Sequence, residues 1–110
     1  MIQPTEALTV IDVNTGKFDG RKKPEETFRK INKEAAAEAA RQMRLRNLSG
    51  IIVVDFIDMK NHDHVQELTA IFKRELKKDP VKADFVDFTK LGLAEVTRKK
   101  VKKTLKEQLL

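Results

Sequence analysis

A chain of 110 residues makes one domain and buries one modest core, which excludes a large cleft between two lobes. Apolar residues are 40% and charged residues 36%, a foldable composition, and the absence of Cys excludes disulfide scaffolds, zinc ribbons and thiol catalysis. The net charge of +6 is concentrated at the end: from Arg98 onward six basic side chains face only Glu107, so a nearly neutral domain carries a basic C-terminal segment suited to polyanions or, more blandly, to water.

In chain order, Leu8–Val13 is rich in β-branched residues, ends at Asn14-Thr15-Gly16 and predicts a strand. Residues 14–24 form a polar loop with Gly16 and Gly20. A helix is expected over Glu25–Leu48: Phe28, Ile31, Ala35, Ala39 and Met43 recur at helical spacing, Pro24 suits its start, and Gly50 is expected to end it. Its alanines leave a thin face that can lie close to a sheet. Ile51–Asp58 is apolar on both faces, as in a central parallel strand covered above and below.

Asn61 is positioned to cap a second helix with a stripe of Val65, Leu68, Phe72 and Leu76, stopped by Pro80. Ala83–Phe88 and Leu91–Val96 predict a hairpin across Thr89-Lys90, and a basic helix is expected from about Arg98. The order β-α-β-α-β-β-α gives an α/β fold, a mixed sheet with helices packed on it. A right-handed first crossover makes the first two strands parallel. The longest aliphatic run, Ile51–Val54, is too short to span a membrane, and no signal peptide is recognisable.

Two acids stand in apolar strands. Asp12 and Asp55 each lie near the carboxyl end of a strand, where open α/β sheets place ligands. An ionised carboxylate there needs compensation, and two of them side by side suit magnesium, which accepts one or two protein carboxylates and keeps waters. Asn14 follows on the same face of an extended chain and can orient a water or phosphate. The bland alternative is that Asp12 caps a turn and Asp55 bonds backbone or an arginine. Asp58, three residues on, faces the other way if the strand continues, and is expected to orient the loop or cap the next helix rather than ligate directly. His62-Asp63-His64 reads as a surface pair of histidines, since residues two apart on a helix diverge. Thr15-Gly16-Lys17 lacks phosphate-loop spacing, and no Ser has a convincing base. The phenylalanines read as core, except Phe18 between two glycines, which could stack on a base.

Four segments then carry a resemblance. Thr5-Glu6-Ala7-Leu8 through Ile11-Asp12-Val13-Asn14-Thr15-Gly16, Glu34-Ala35-Ala36 with Ala40-Arg41-Gln42-Met43-Arg44-Leu45-Arg46-Asn47-Leu48, Ile52-Val53-Val54-Asp55-Phe56-Ile57-Asp58-Met59, and Thr89-Lys90-Leu91-Gly92-Leu93 with Glu95-Val96-Thr97-Arg98-Lys99 resemble, in this order, motifs of the ribonuclease E/G family. The resemblance runs nearly end to end. It implies that residues 1–110 are the deoxyribonuclease-I-like catalytic subdomain of a magnesium-dependent endoribonuclease. Such an enzyme cuts single-stranded RNA in cytoplasmic RNA processing and decay, leaving 5′-phosphate and 3′-hydroxyl ends.

By the same resemblance, Asp12 and Asp55 match the magnesium ligands, Asn14 the residue that helps position the attacking water, and Lys82 a cation that contacts substrate near the scissile phosphate. Arg98, Lys99 and Lys100 are expected to hold further phosphates. The family also carries an S1-type RNA-binding module, a 5′-end sensor and a Cys-x-x-Cys zinc link joining subunits of a homo-oligomer, and none of these is present in the sequence. The alternative for the chain alone is a non-catalytic RNA-binding or oligomerisation module. A strand preceding Thr5 is expected to be nearly all missing, which would expose Leu8–Val13 as an edge open to self-association.

Overall fold

A computed structural model of the chain describes residues 2–4, 8–13 and 24–101. Its elements are β1 (Ile2–Pro4), β2 (Leu8–Asp12), α1 (Glu25–Leu45), β3 (Gly50–Asp55), α2 (His62–Lys77), β4 (Ala83–Phe88) and β5 (Ala94–Arg98). The five strands form one mixed sheet in the order β1-β2-β3-β5-β4. β2 and β3 are parallel, as the α1 crossover requires, and the other neighbours are antiparallel.

The expectation of a bare edge at Leu8–Val13 is overturned. Ile2 pairs with Ile11 and Pro4 with Thr9, so β1 covers that edge from within the chain. Pro4, which has no N–H to donate, is tolerated because β1 is itself the edge strand.

Burial alternates along the central strands. Thr9, Ile11, Ile52, Val54, Ala94 and Val96 are buried beneath the helices. Ala36, Ala39 and Ala40 of α1 are buried, and Met43, Leu68, Phe72 and Leu76 complete the core. The opposite face of β3 is not matched by a second layer among the described residues: Ile51 there is 41% exposed. The expected two-sided cover is therefore one-sided.

Boundaries shift for identifiable reasons. α1 stops at Leu45 rather than Leu48 because Asn47 takes φ +48°. The Leu48 N–H then donates to the Met43 carbonyl and the Asn47 N–H to that of Arg44, a Schellman ending that makes Gly50 unnecessary for the stop. A bulge between Phe85 and Asp87 breaks simple alternation in β4, turning both Phe85 and Phe88 toward the core. There Phe56, Phe72, Phe85 and Phe88 pack edge to face in series, with centroids 5.4, 6.2 and 5.5 Å apart.

The hairpin exists, but β5 starts at Ala94, not Leu91. The Thr89 hydroxyl accepts from the N–H groups of Leu91 and Leu93, and Gly92 adopts φ +82°, so residues 89–93 close as a longer turn. The helix expected from Arg98 is not seen in the described part: Arg98 ends β5, residues 99–101 have no regular structure, and 102–110 lie outside the described residues.

Candidate metal centre and nucleic-acid interface

In the register of β2 on β3, Leu8 stands beside Ile51, Val10 beside Val53, and Asp12 beside Asp55. The period of two puts all six on the sheet face away from the buried residues. The two carboxylates therefore close the carboxyl end of an apolar double row. The Val13 N–H donates to the Asp55 carbonyl at 3.0 Å, carrying the parallel ladder one bond past both acids.

Proximity shows in the chemistry of Asp55. Burial, and then the negative charge of Asp12, push its carboxyl above its ordinary value. A cation shared by the pair would relieve both causes at once. No group of three or more His, Cys, Asp or Glu converges among the described residues. Among the described residues the donor set is this pair of carboxylates, and a pair of that kind could hold magnesium, which fills its remaining positions with water or phosphate oxygens. Asn14 and Phe18 lie outside the described residues.

The chain leaving β3 is held by residues that sequence reasoning did not single out. Asn32 on α1 is completely buried; its Nδ2 donates to the Ile57 carbonyl at 2.8 Å, and its Oδ1 accepts the Ile57 N–H at 2.9 Å. That two-way clasp fixes the backbone two residues after Asp55. Glu25, also on α1, accepts from the backbone N–H groups of Lys60 and Asn61. The bond from the Asn61 N–H, more than any other neighbour, holds the Glu25 carboxyl below its ordinary value. Asn61 in turn caps α2 as expected, accepting from the N–H groups of Asp63 and His64. Farther along, Glu67 bonds Arg29 and Lys33, joining the helices; the Arg29 bond leads in lowering the Glu67 carboxyl to about 2. The only available signal for Asn32 was a polar residue on the apolar stripe of a helix.

A cleft of about 700 Å³ opens beside Asp55, between the β3–α2 connection and the β4–β5 turn. Asp58, His62, Lys90 and Leu91 reach it along with Asp55. Asp58 does not turn away as expected, because β3 ends at Asp55 and strand alternation no longer governs it. The histidines diverge as expected: His62 lines the cleft, while His64 Nδ1 lies 3.4 Å from Glu25 Oε2.

The expected phosphate contacts divide differently. β5 runs antiparallel to β3 with Arg98 opposite Gly50, and the Lys99 N–H donates to the Lys82 carbonyl at 2.9 Å. Lys82, Lys99 and Lys100 are exposed and share one shallow surface, but at the other end of the sheet from the acids, about 20 Å away at ~3.3 Å per strand residue. Arg98 is not part of that surface. It is only 4% exposed, with Nε and Nη2 on Asp79 and Nη1 on the Asn47 side chain and the Leu48 carbonyl. Buried, and with four of its five N–H donors bonded inside the fold, Arg98 does not present a phosphate-binding guanidinium.

Comparison with known proteins agrees with the motif reading. The model of the Ribonuclease E/G family matches residues 1–101. The chain is 44% identical to Ribonuclease G of Salmonella typhimurium over 109 residues, 99% of the chain and 22% of that relative. It is 47% identical to Ribonuclease E of Synechocystis over 107 residues, 97% of the chain and 16% of that relative. Against Ribonuclease E of Nostoc the identity is 48% over 100 residues, 91% of the chain and 15% of that relative. The chain thus spans about a fifth or less of the relatives it matches.

Proposed function

The chain belongs to the ribonuclease E/G family, and on that premise we propose that it forms the catalytic part of a magnesium-dependent endoribonuclease acting on single-stranded RNA. The observation that carries this reading is the in-register pairing of Asp12 with Asp55 at the carboxyl ends of parallel strands. These two carboxylates would hold the ion. Bound there, magnesium would supply charge neutralisation for the scissile phosphate and a water of lowered pKa.

The rest falls to the protein. Asp12 and Asp55 would fix where the ion sits, and Asn32 and Glu25 keep the β3–α2 connection from drifting. Asn14, by family resemblance, orients the attacking water. Water attacks phosphorus in line, the bond to the 3′-oxygen breaks, and the proton ends on that oxygen, leaving 5′-phosphate and 3′-hydroxyl ends. Lys82, Lys99 and Lys100 would hold phosphates several nucleotides from the cut, adding affinity without sequence information.

The test is cleavage of a 5′-labelled, unstructured RNA by the chain, with magnesium and with chelator, for the native protein and Asp55→Asn. Magnesium-dependent products with 3′-hydroxyl ends that vanish in Asp55→Asn support the reading. Cleavage that survives the substitution contradicts it.

A further inference from the structure

The cleft beside Asp55 has a composition that the acid pair does not account for. Its floor is apolar, from Phe56, Met59, Leu68 and the half-buried Phe88. Its rim is polar, with Asp58 and His62 on one side and Lys90 on the other. Leu91, at the tip of the β4–β5 turn, lines the cleft and is 87% exposed. An apolar floor with a few convergent polar groups describes a small-molecule seat, and about 700 Å³ accommodates a nucleotide.

We propose that this cleft binds the nucleoside adjoining the scissile phosphate, its base lying on the apolar floor under Leu91 and its phosphate meeting Lys90. The inference rests on the reading of Asp12 and Asp55 as the site of cleavage, since Asp55 belongs to both. Several observations favour a nucleotide as the occupant. Lys90 has no carboxylate within ion-pair distance among the described residues, so its charge is available. α2 begins at His62, placing the positive end of a 16-residue helix on the opposite rim. Asp58 is exposed and can accept hydrogen bonds from the exocyclic amine of a base, so the seat has a means of discriminating among bases. The turn that carries Lys90 and Leu91 is braced by Thr89, whose N–H donates to the Leu93 carbonyl at 2.8 Å.

The test is a titration of the isotope-labelled chain with each of the four nucleoside 5′-monophosphates, and with inorganic phosphate, in magnesium buffer, followed by amide shifts. Saturable shifts at residues 55–62 and 88–92 are expected with nucleotides and not with phosphate alone. Affinities should differ among the bases. Lys90→Ala should weaken binding about two- to fivefold, and Leu91→Ser about three- to tenfold. Both side chains are exposed, so the remaining spectrum should be unchanged. Asp58→Asn should alter the ranking of the bases. Nucleotide shifts that persist when Asp55→Asn has abolished magnesium binding leave the subsite standing whatever becomes of the cleavage reading. Equal shifts with phosphate alone, shifts elsewhere, no shifts, or native affinity in both Lys90→Ala and Leu91→Ser overturn it.

Discussion

Asp12 and Asp55 are direct cross-strand neighbours in a parallel pair, and burial, followed by the charge of Asp12, raises the Asp55 carboxyl. In metal-free buffer this arrangement costs stability. Because the folded Asp55 titrates above its unfolded value, the penalty is complete above the folded pKa. It is relieved as the pH falls through that value toward the ordinary 3.8. Asp55→Asn should therefore raise the melting temperature at pH 7 by about 2–4 °C. A melting temperature that falls would show that the carboxylate is structurally supported rather than repelled.

Asn32 should matter to the site without touching it. Asn32→Ala leaves the Ile57 N–H and carbonyl without partners and is expected to cost about 2–4 kcal/mol in denaturant unfolding. Asn32→Asp keeps the shape but cannot donate to the Ile57 carbonyl and buries a charge, so it should be at least as damaging. A neutral Asn32→Ala would contradict the clasp.

Asp79 should titrate with the opposite sign to Asp55. Burial alone would raise its carboxyl, but the bond from Arg98, the N–H of Val81 and the charges of Arg98 and Arg44 together hold it below 3.8. Its contribution is thus fully present above 3.8 and lost as the pH falls through the lowered folded value. Arg98→Met should cost about 3–5 kcal/mol at pH 7, and adding Asp79→Asn should recover part of it. If the single variant costs under about 1 kcal/mol, the pair behaves as a surface ion pair.

The distant lysines should act on affinity and not on the metal. Replacing Lys82, Lys99 and Lys100 by Ala should flatten the slope of log affinity for single-stranded RNA against log salt by about 0.7 per residue, or about 2 in all. Magnesium affinity should stay as in the native chain, because the sheet separates the two ends.

The acid pair was legible because each carboxylate interrupts a β-branched run near its end, and the crossover rule makes those runs parallel. The covered edge was not, because three residues, one of them Pro, give little strand signal; only the pairing of Ile2 with Ile11 reveals it. Arg98 sits beside Lys99 and Lys100 and looks like one more solvated cation. Its burial depends on Asp79, nineteen residues back, brought alongside by the sheet. The end of α1 was misplaced for a local reason: Asn47 reached the left-handed conformation before Gly50 was needed. The cleft was out of reach altogether, because it forms where the β3–α2 connection meets a turn some thirty residues later.

Calorimetric titration of the chain with magnesium measures divalent binding at the acid pair directly. One ion per chain is expected, with binding abolished by Asp12→Asn and by Asp55→Asn alike, each variant keeping a folded spectrum. Native binding in either variant, or no binding in the native chain at millimolar magnesium, would contradict the claim that Asp12 and Asp55 share a cation.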